Sequence, residues 1–333
     1  MNNTDRIFVT GASGFLGKYI LRDLLDKGFQ QITAHSRMNP DQAIKKWPDL
    51  KVNWVSGDLM DLGVLDNYVL SHDFIIHAAG KISYRASDRK ELIKSNFLLT
   101  QQLVDAAIFH NIKGFVFISS TAALSRDIDK GPISESGIWQ NMKDASDYSR
   151  SKWMAELEVW RAKEEGINVL ILAPSVMLGQ GRAEKGFNQI IQKIKQGHSY
   201  FPSGAGGFVD VRDVASFCTN AAIAGLWGEK YILNAANLTF REAYSKVASI
   251  MGIKVPSKPV PVFLTRILIS LNALFQMGAG KKNGLLTHEA LKLAGSRFEY
   301  NNQKSVDSGL IKYRSIDESF ELAVDNSRES VKG

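Results

Sequence analysis

The sequence predicts an α/β protein, a doubly wound parallel sheet with a smaller, mostly helical C-terminal part. Three observations predict it. Short apolar, β-branched runs alternate with helical patterns through the first half of the chain, as they do where strands are joined by crossover helices. The first such run ends in a glycine-rich turn that opens a helix. After Pro174 the alternation gives way to longer helical stretches.

Residues 6–10 form the first strand, followed by the turn and an amphipathic helix ending near Gly28. Further strands are expected at 31–35, 51–56, 74–78, 115–119 and 168–173, with helices at 62–70, 89–110 and 145–165. That order, with right-handed crossovers, places a ligand site at the carboxyl edge of the sheet. Beyond Pro174, helical patterns cover 185–196, 211–224, 240–251 and 264–277, and a short strand falls at 230–234. The apolar run from Pro261 to Met277 is shorter than the roughly 20 residues a membrane span needs, and Arg266 and Asn272 interrupt it. It reads as an amphipathic or buried helix, so a membrane partner is not expected. Residues 326–333 are polar and expected to fray.

Composition sets the outer bounds. At 333 residues, with 44% hydrophobic and 23% charged residues, the chain can build one large core or two closely joined ones. The lone Cys218 forbids an internal disulfide and, in its apolar stretch, reads as packing. A reducing, cytoplasmic location is the expectation, and the polar start at Met1 is not that of a signal peptide. The net charge of +7 suits an anionic ligand, but the basic residues are scattered, which argues against a nucleic-acid partner. The six histidines show no metal spacing, and no metal is expected. There is no Gly-x-Ser-x-Gly elbow of a hydrolase.

Thr10-Gly11-Ala12-Ser13-Gly14-Phe15-Leu16-Gly17 joins the first strand to the first helix. Gly11 permits the turn, Gly14 lets backbone approach a pyrophosphate, and Gly17 allows close helix–strand packing. The helix N-terminus then offers N–H groups and partial positive charge to an anion. Set between strand and helix, this is a dinucleotide cradle. An NAD site places Asp or Glu about 20 residues on, where it binds the ribose 2′-hydroxyl. This chain has His35-Ser36-Arg37 there. Ser36 and Arg37 suit a 2′-phosphate, so NADP(H) is expected over NAD(H), an exposed loop arginine being the alternative.

Tyr148 and Lys152 lie four residues apart at the start of a helix and so share a face. A neighbouring ammonium favours phenolate, which makes Tyr148 an acid/base candidate. Upstream, the strand 115–119 runs into Ser119-Ser120-Thr121 at the sheet's carboxyl edge, where a hydroxyl can hydrogen-bond a substrate oxygen.

On these motifs the chain resembles the extended short-chain dehydrogenase/reductases of the epimerase/dehydratase superfamily, and among them the dihydroflavonol-reductase-like and 3β-hydroxysteroid-dehydrogenase-like group. The matching runs occur in the family's order: TGASGFLG, Gly57-Asp58-Leu59, Ile76-His77-Ala78-Ala79-Gly80, Asn96, Ser119-Ser120-Thr121, Tyr148-Ser149-Arg150-Ser151-Lys152, residues 173–179 and residues 208–214. The resemblance implies a Rossmann-type NADP(H)-binding domain over 1–174, with returning segments from about 207–235, and a substrate-binding part over 175–325. It implies Ser120, Tyr148 and Lys152 as catalytic residues, with Thr121 a neighbour of the same chemistry. Gly11, Ser13, Gly14, Phe15, Leu16, Gly17, Ser36, Arg37, Asp58, Leu59, Ala78, Ala79, Gly80, Lys152, Pro174 and Val176 would line the cofactor. Asn96 would organise the active-site helix or serve as a structural hydrogen bonder.

Residues 173–180 depart from the Arg-Pro and Asn-Val-Tyr-Gly-Pro-like runs of sugar-nucleotide enzymes. The apolar loop suits a small, rather apolar ketone, aldehyde or alcohol as the substrate partner. Ser83, Tyr84, Met177, Gln180, Phe187 and Phe208 are candidates for its contacts or for packing. The alternatives are a sugar epimerase or dehydratase with tightly bound nicotinamide, and a non-catalytic NADP(H)-sensing protein. The resemblance also implies a homodimer through the helices 89–110 and 145–165, although Leu92, Leu99, Leu103, Trp153, Leu157 and Trp160 would equally serve the sheet.

Overall fold

The computed structural model describes residues 1–125, 131–137, 139, 142, 145–181, 186–260 and 295–329, with side chains to residue 325. The expected helix at 264–277 lies outside the described residues.

The first half builds one parallel sheet. In chain order it runs β1 (Ile7–Thr10), α1 (Phe15–Asp26), β2 (Ile32–His35), α2 (Pro40–Lys46), β3 (Asn53–Val55), α3 (Leu62–Leu70) and β4 (Phe74–His77). Then come α4 (Arg89–Leu92), a π-helical turn (Ile93–Leu98), α5 (Leu99–Phe109), β5 (Gly114–Ile118), α6 (Asp147–Glu164) and β6 (Asn168–Pro174). These strands read as continuous apolar runs because both sheet faces are covered. Ile7, Val9, Ile76, Val116 and Leu170 pack beneath α1 on one face, and Phe8, Ile75, Phe115, Phe117 and Ile171 beneath α5 and α6 on the other.

Local sequence sets the helix starts. Asn39 caps α2 by accepting from Asp41 N at 2.9 Å, with Pro40 at the first position. Asp61 caps α3 and Ser146 caps α6 in the same way. The single helix expected over 89–110 is instead interrupted by the π-turn, which inserts one extra residue around Asn96.

The second half both returns to this sheet and leaves it. β7 (Val176–Leu178), α7 (Gly186–Lys195), β8 (Tyr200–Phe201), β9 (Ala205–Asp210), α8 (Val211–Ala224) and β10 (Glu229–Leu233) follow, then β11 (Ala236–Thr239), α9 (Phe240–Met251) and β12 (Lys258–Pro259). The chain ends in α10 (Gln303–Asp307) and α11 (Ile316–Glu329), so the helix extends into the segment expected to fray. β10 pairs with β6, giving the seven-stranded order β10-β6-β5-β4-β1-β2-β3. This is the expected doubly wound parallel sheet of Rossmann type. β11, β9 and β7 form a small second sheet, and β12 with β8 a third. Short strands thus accompany the helices of the second part, whose core gathers Leu178, Phe187, Ile191, Phe208, Val247 and Phe320. Cys218 is fully buried, as its apolar setting suggested. No helix among the described residues is long and apolar enough to cross a membrane, and they hold no cluster of His, Cys, Asp or Glu able to bind a metal.

Candidate active site

The carboxyl ends of β1, β2, β4 and β5 converge. At β1 the chain turns through Gly11 at φ +67°, and a Cβ there would lie 2.5 Å from Ala79 N. A Cβ on Gly17 would overlap Gly11 O, so α1 sits directly on the turn. Gly14 caps α1 without a side-chain hydrogen bond, and no acidic residue stands in the first turn. This Cβ-free turn, followed by a helix whose first turn carries no carboxylate, fits a dinucleotide pyrophosphate. Leu16 has its side chain in the core and offers a ligand only backbone. Phe15 packs edge-on to Tyr19 at 6.1 Å, and its ring would stand 2.7 Å from a Cβ on Gly181.

After β2, Ser36 is buried and its hydroxyl donates to Ser13 Oγ at 2.9 Å while accepting from Met38 N at 3.0 Å. The second-strand loop is thereby fastened to the glycine turn. Arg37 beside it is exposed, and no ion pair holds it among the described residues. His35 is buried, with Nε2 2.9 Å from Gly57 O. Asp58 is exposed and accepts from Met60 N at 3.0 Å, whereas Leu59 is buried.

The segment after β4 carries Ala78, Ala79 and Gly80. A Cβ on Gly80 would lie 3.3 Å from Asn96 Oδ1 and 3.4 Å from Lys152 Nζ. Asn96 on the π-turn is buried and fully engaged. Its Oδ1 accepts from Lys81 N at 2.7 Å, and its Nδ2 donates to Lys81 O and to Ser151 Oγ, both at 2.9 Å. It therefore clamps this segment to α6.

The end of β5 meets the start of α6. Ser120 begins a 3-10 turn (Thr121–Ala123), where its Oγ accepts from Ala122 N at 3.1 Å, and its hydroxyl favours the phenolate of Tyr148. Tyr148 is buried against Leu92 and Ala122, with the Tyr84 ring edge-on at 6.0 Å. Lys152 Nζ donates to Ile118 O at 2.7 Å and lies 4.7 Å from the Phe117 ring centre. The sequence suggested that the ammonium would depress the phenol, and the fold does the opposite. Burial, and then Tyr84, push Tyr148 above the ordinary phenol range against the Ser120 hydrogen bond. The ammonium meanwhile is aimed at the Ile118 carbonyl. Burial lowers Lys152 to about 8, and Glu156 opposes that shift.

Of the remaining candidates, Pro174 is buried at the end of β6, and Val176 is 37% exposed just beyond it. Met177 is half-buried and Gln180 exposed. Gln180 is held by Tyr19, whose hydroxyl donates to Gln180 O at 3.3 Å. Phe187 and Phe208 are core residues, 5.5 Å apart and packed with Phe320, so packing describes them. Ser83 Oγ accepts from Arg85 N at 3.2 Å.

Sequence reasoning missed Glu156. It is buried one turn beyond Lys152, accepting from Ser119 Oγ at 2.5 Å and pairing with Lys230 of β10 at 2.6 Å. A glutamate at four-residue spacing from the lysine, on the same face, was the available signal. It also passed over a buried chain through His77, from Thr10 to Thr100.

Known proteins agree with this architecture. The profile described as "NAD dependent epimerase/dehydratase family" matches residues 7–233. A Synechocystis sp. protein named "Putative dihydroflavonol 4-reductase" is 28% identical, the match covering 91% of this chain and 88% of that one. A 4-hydroxy-2-methyl-3-oxo-4-farnesyl-3,4-dihydroquinoline-1-oxide ketoreductase of Stigmatella aurantiaca is 26% identical over 90% of each. The crystal structure of gox2253 superimposes with a TM-score of 0.83 at 24% identity, covering 98% of this chain and 99% of that one.

Proposed function

Because the chain belongs to the NAD dependent epimerase/dehydratase family, we propose that this NAD(P)-dependent oxidoreductase uses NADP(H) to reduce a ketone or aldehyde of a small, rather apolar molecule, or to oxidise the alcohol. The observation that carries this reading is the buried Tyr148 phenol, whose phenolate the Ser120 hydroxyl favours, one turn from Lys152 on the same helix. The reductase names of the two relatives favour net reduction over epimerisation.

The bound nicotinamide would supply the hydride. Gly11, Ser13, Gly14 and the first turn of α1 would hold its pyrophosphate, Ser36 and Arg37 the 2′-phosphate, and Ala78–Gly80, Lys152, Pro174 and Val176 the remainder. Ser120 donates a hydrogen bond to the substrate oxygen and fixes it beside Tyr148. The raised phenol keeps its proton at neutral pH, so Tyr148 acts as the acid that delivers it to that oxygen as negative charge develops. Lys152 keeps positive charge near the same point. In the oxidation direction the phenol must first lose its proton, so alkaline pH favours that direction. Tyr84, edge-on to Tyr148, with Met177 and Val176, forms the apolar wall of the substrate end. Pairing of two copies through the helical segments 89–110 and 145–165 belongs to this reading, since Leu98 on the π-turn and Leu157 on α6 remain exposed.

Calorimetric titration of the protein with NADPH and NADH side by side tests the cofactor. Tighter binding of NADPH supports the reading, and a preference for NADH contradicts it.

A further inference from the structure

His77 closes β4 and is fully buried, its ring 5.6 Å from that of Phe117 and 6.2 Å from that of Phe115. Thr10 Oγ1 lies 2.6 Å from Nδ1, and Thr100 Oγ1 lies 3.0 Å from Nε2. Taken alone, these contacts allow either ring nitrogen to carry the proton. The outer partners decide it. Thr100 Oγ1 is 2.6 Å from Asn96 O, a carbonyl that can only accept, so the threonine proton is committed there. Thr100 must then accept from His77 Nε2–H.

In the neutral ring Nδ1 is left as the acceptor and takes the Thr10 hydroxyl proton. Thr10 keeps a lone pair for Ala79 N–H at 3.3 Å. A second ring proton would bury a charge close to Lys152. Burial first, and then Lys152, hold the imidazole down at about 3.

We infer that His77 is a positioning residue, a permanently neutral Nε2–H imidazole whose one-way hydrogen-bond chain from Ala79 through Thr10, His77 and Thr100 to Asn96 locks the cofactor-lining segment to the active-site helix. The lock runs from one end of the site to the other. Ala79 faces the glycine turn, since a Cβ on Gly11 would touch its nitrogen. At the far end Asn96 grips Lys81 and Ser151, the residue before Lys152. Asn96 reaches both from within the π-turn. Every donor in the chain points the same way, so removing one acceptor frees the ring to change tautomer or turn.

The turnover part of the test rests on the reductase reading, whereas the tautomer part does not. Long-range 1H–15N correlation on the full chain, assigned with His77→Gln, reads the tautomer directly. Wild type should show Nε2–H alone, unchanged between pH 5 and 8. Thr100→Val, which removes the Nε2 acceptor with little change of volume, should mix the tautomers. It should also lower kcat about tenfold or more, with KM for the carbonyl substrate moving less than kcat. An Nδ1–H pattern, or titration within that pH range, overturns the assignment. So does a Thr100→Val variant that melts lower but turns over at the wild-type rate per folded molecule, which is what a merely structural role predicts. Failure of every carbonyl tested would count against the reductase reading, and the spectrum would still decide the role of His77.

Discussion

The Ile118 carbonyl accepts from Lys152 Nζ at 2.7 Å, and two residues along the same strand end the Ser120 hydroxyl favours the Tyr148 phenolate. One corner of the sheet thus meets two of the polar groups that α6 presents on its buried face. A shift of the helix relative to β5 would break the Lys152 hydrogen bond. Glu156, which accepts from Ser119 Oγ, adds a second tie.

Tyr148→Phe removes only the phenolic oxygen from a packed, buried ring. Turnover should fall by about 10²- to 10⁴-fold, the usual worth of a positioned acid, while NADPH binding stays within about twofold. Single-turnover kinetics beside a binding titration check this.

Lys152 carries a stability cost whose sign can be worked out. Its ordinary value is 10.5 and the folded value about 8. Between those pH values the unfolded chain binds the extra proton, so folded stability rises with pH there. Below pH 8 the full cost stands. Lys152→Met should therefore be more stable than wild type at pH 7, by up to about 3 kcal/mol. The difference should shrink as pH approaches 10. Urea unfolding of both proteins across that range measures it, and turnover should be lost throughout.

Glu156 and Lys230 form a buried pair, with side chains 4% and 11% exposed. Glu156→Ala leaves an ammonium without its partner and should cost about 3–5 kcal/mol. Glu156→Leu combined with Lys230→Met should recover most of that, because a packed apolar pair needs no compensation. Denaturant midpoints of the single and double variants separate the two effects.

Arg37→Ala should weaken NADPH about tenfold or more, as charge-assisted hydrogen bonds to a phosphate are worth about 1.5–3 kcal/mol. NADH should change little. Equal loss for both would show that Arg37 does not read the 2′-phosphate.

The parallel sheet was legible because buried parallel strands must be continuously apolar, and the glycine turn because a Cβ at Gly11 or Gly17 has nowhere to go. Ser120, Tyr148 and Lys152 were legible as residues, but not their electrostatics. Helical spacing placed Lys152 beside Tyr148, yet burial and the Ile118 carbonyl, both products of tertiary packing, decide which way each group shifts. The short strands β7, β9 and β11 escaped notice because they are three to six residues long and glycine-rich or polar in part. Helix α2 is only seven residues long, and its local signal is the Asn39 cap with Pro40 at the first position. The π-turn has no sequence signature of its own, since any of its residues would suit an α-helix.

The most direct test follows NADPH and carbonyl compound together in one reaction, with wild type and Tyr148→Phe in parallel. Wild type should consume one NADPH per alcohol formed, and the variant almost none. Isomerisation of a sugar nucleotide with no net change in nicotinamide, or undiminished NADPH oxidation by Tyr148→Phe, would contradict the reductase reading.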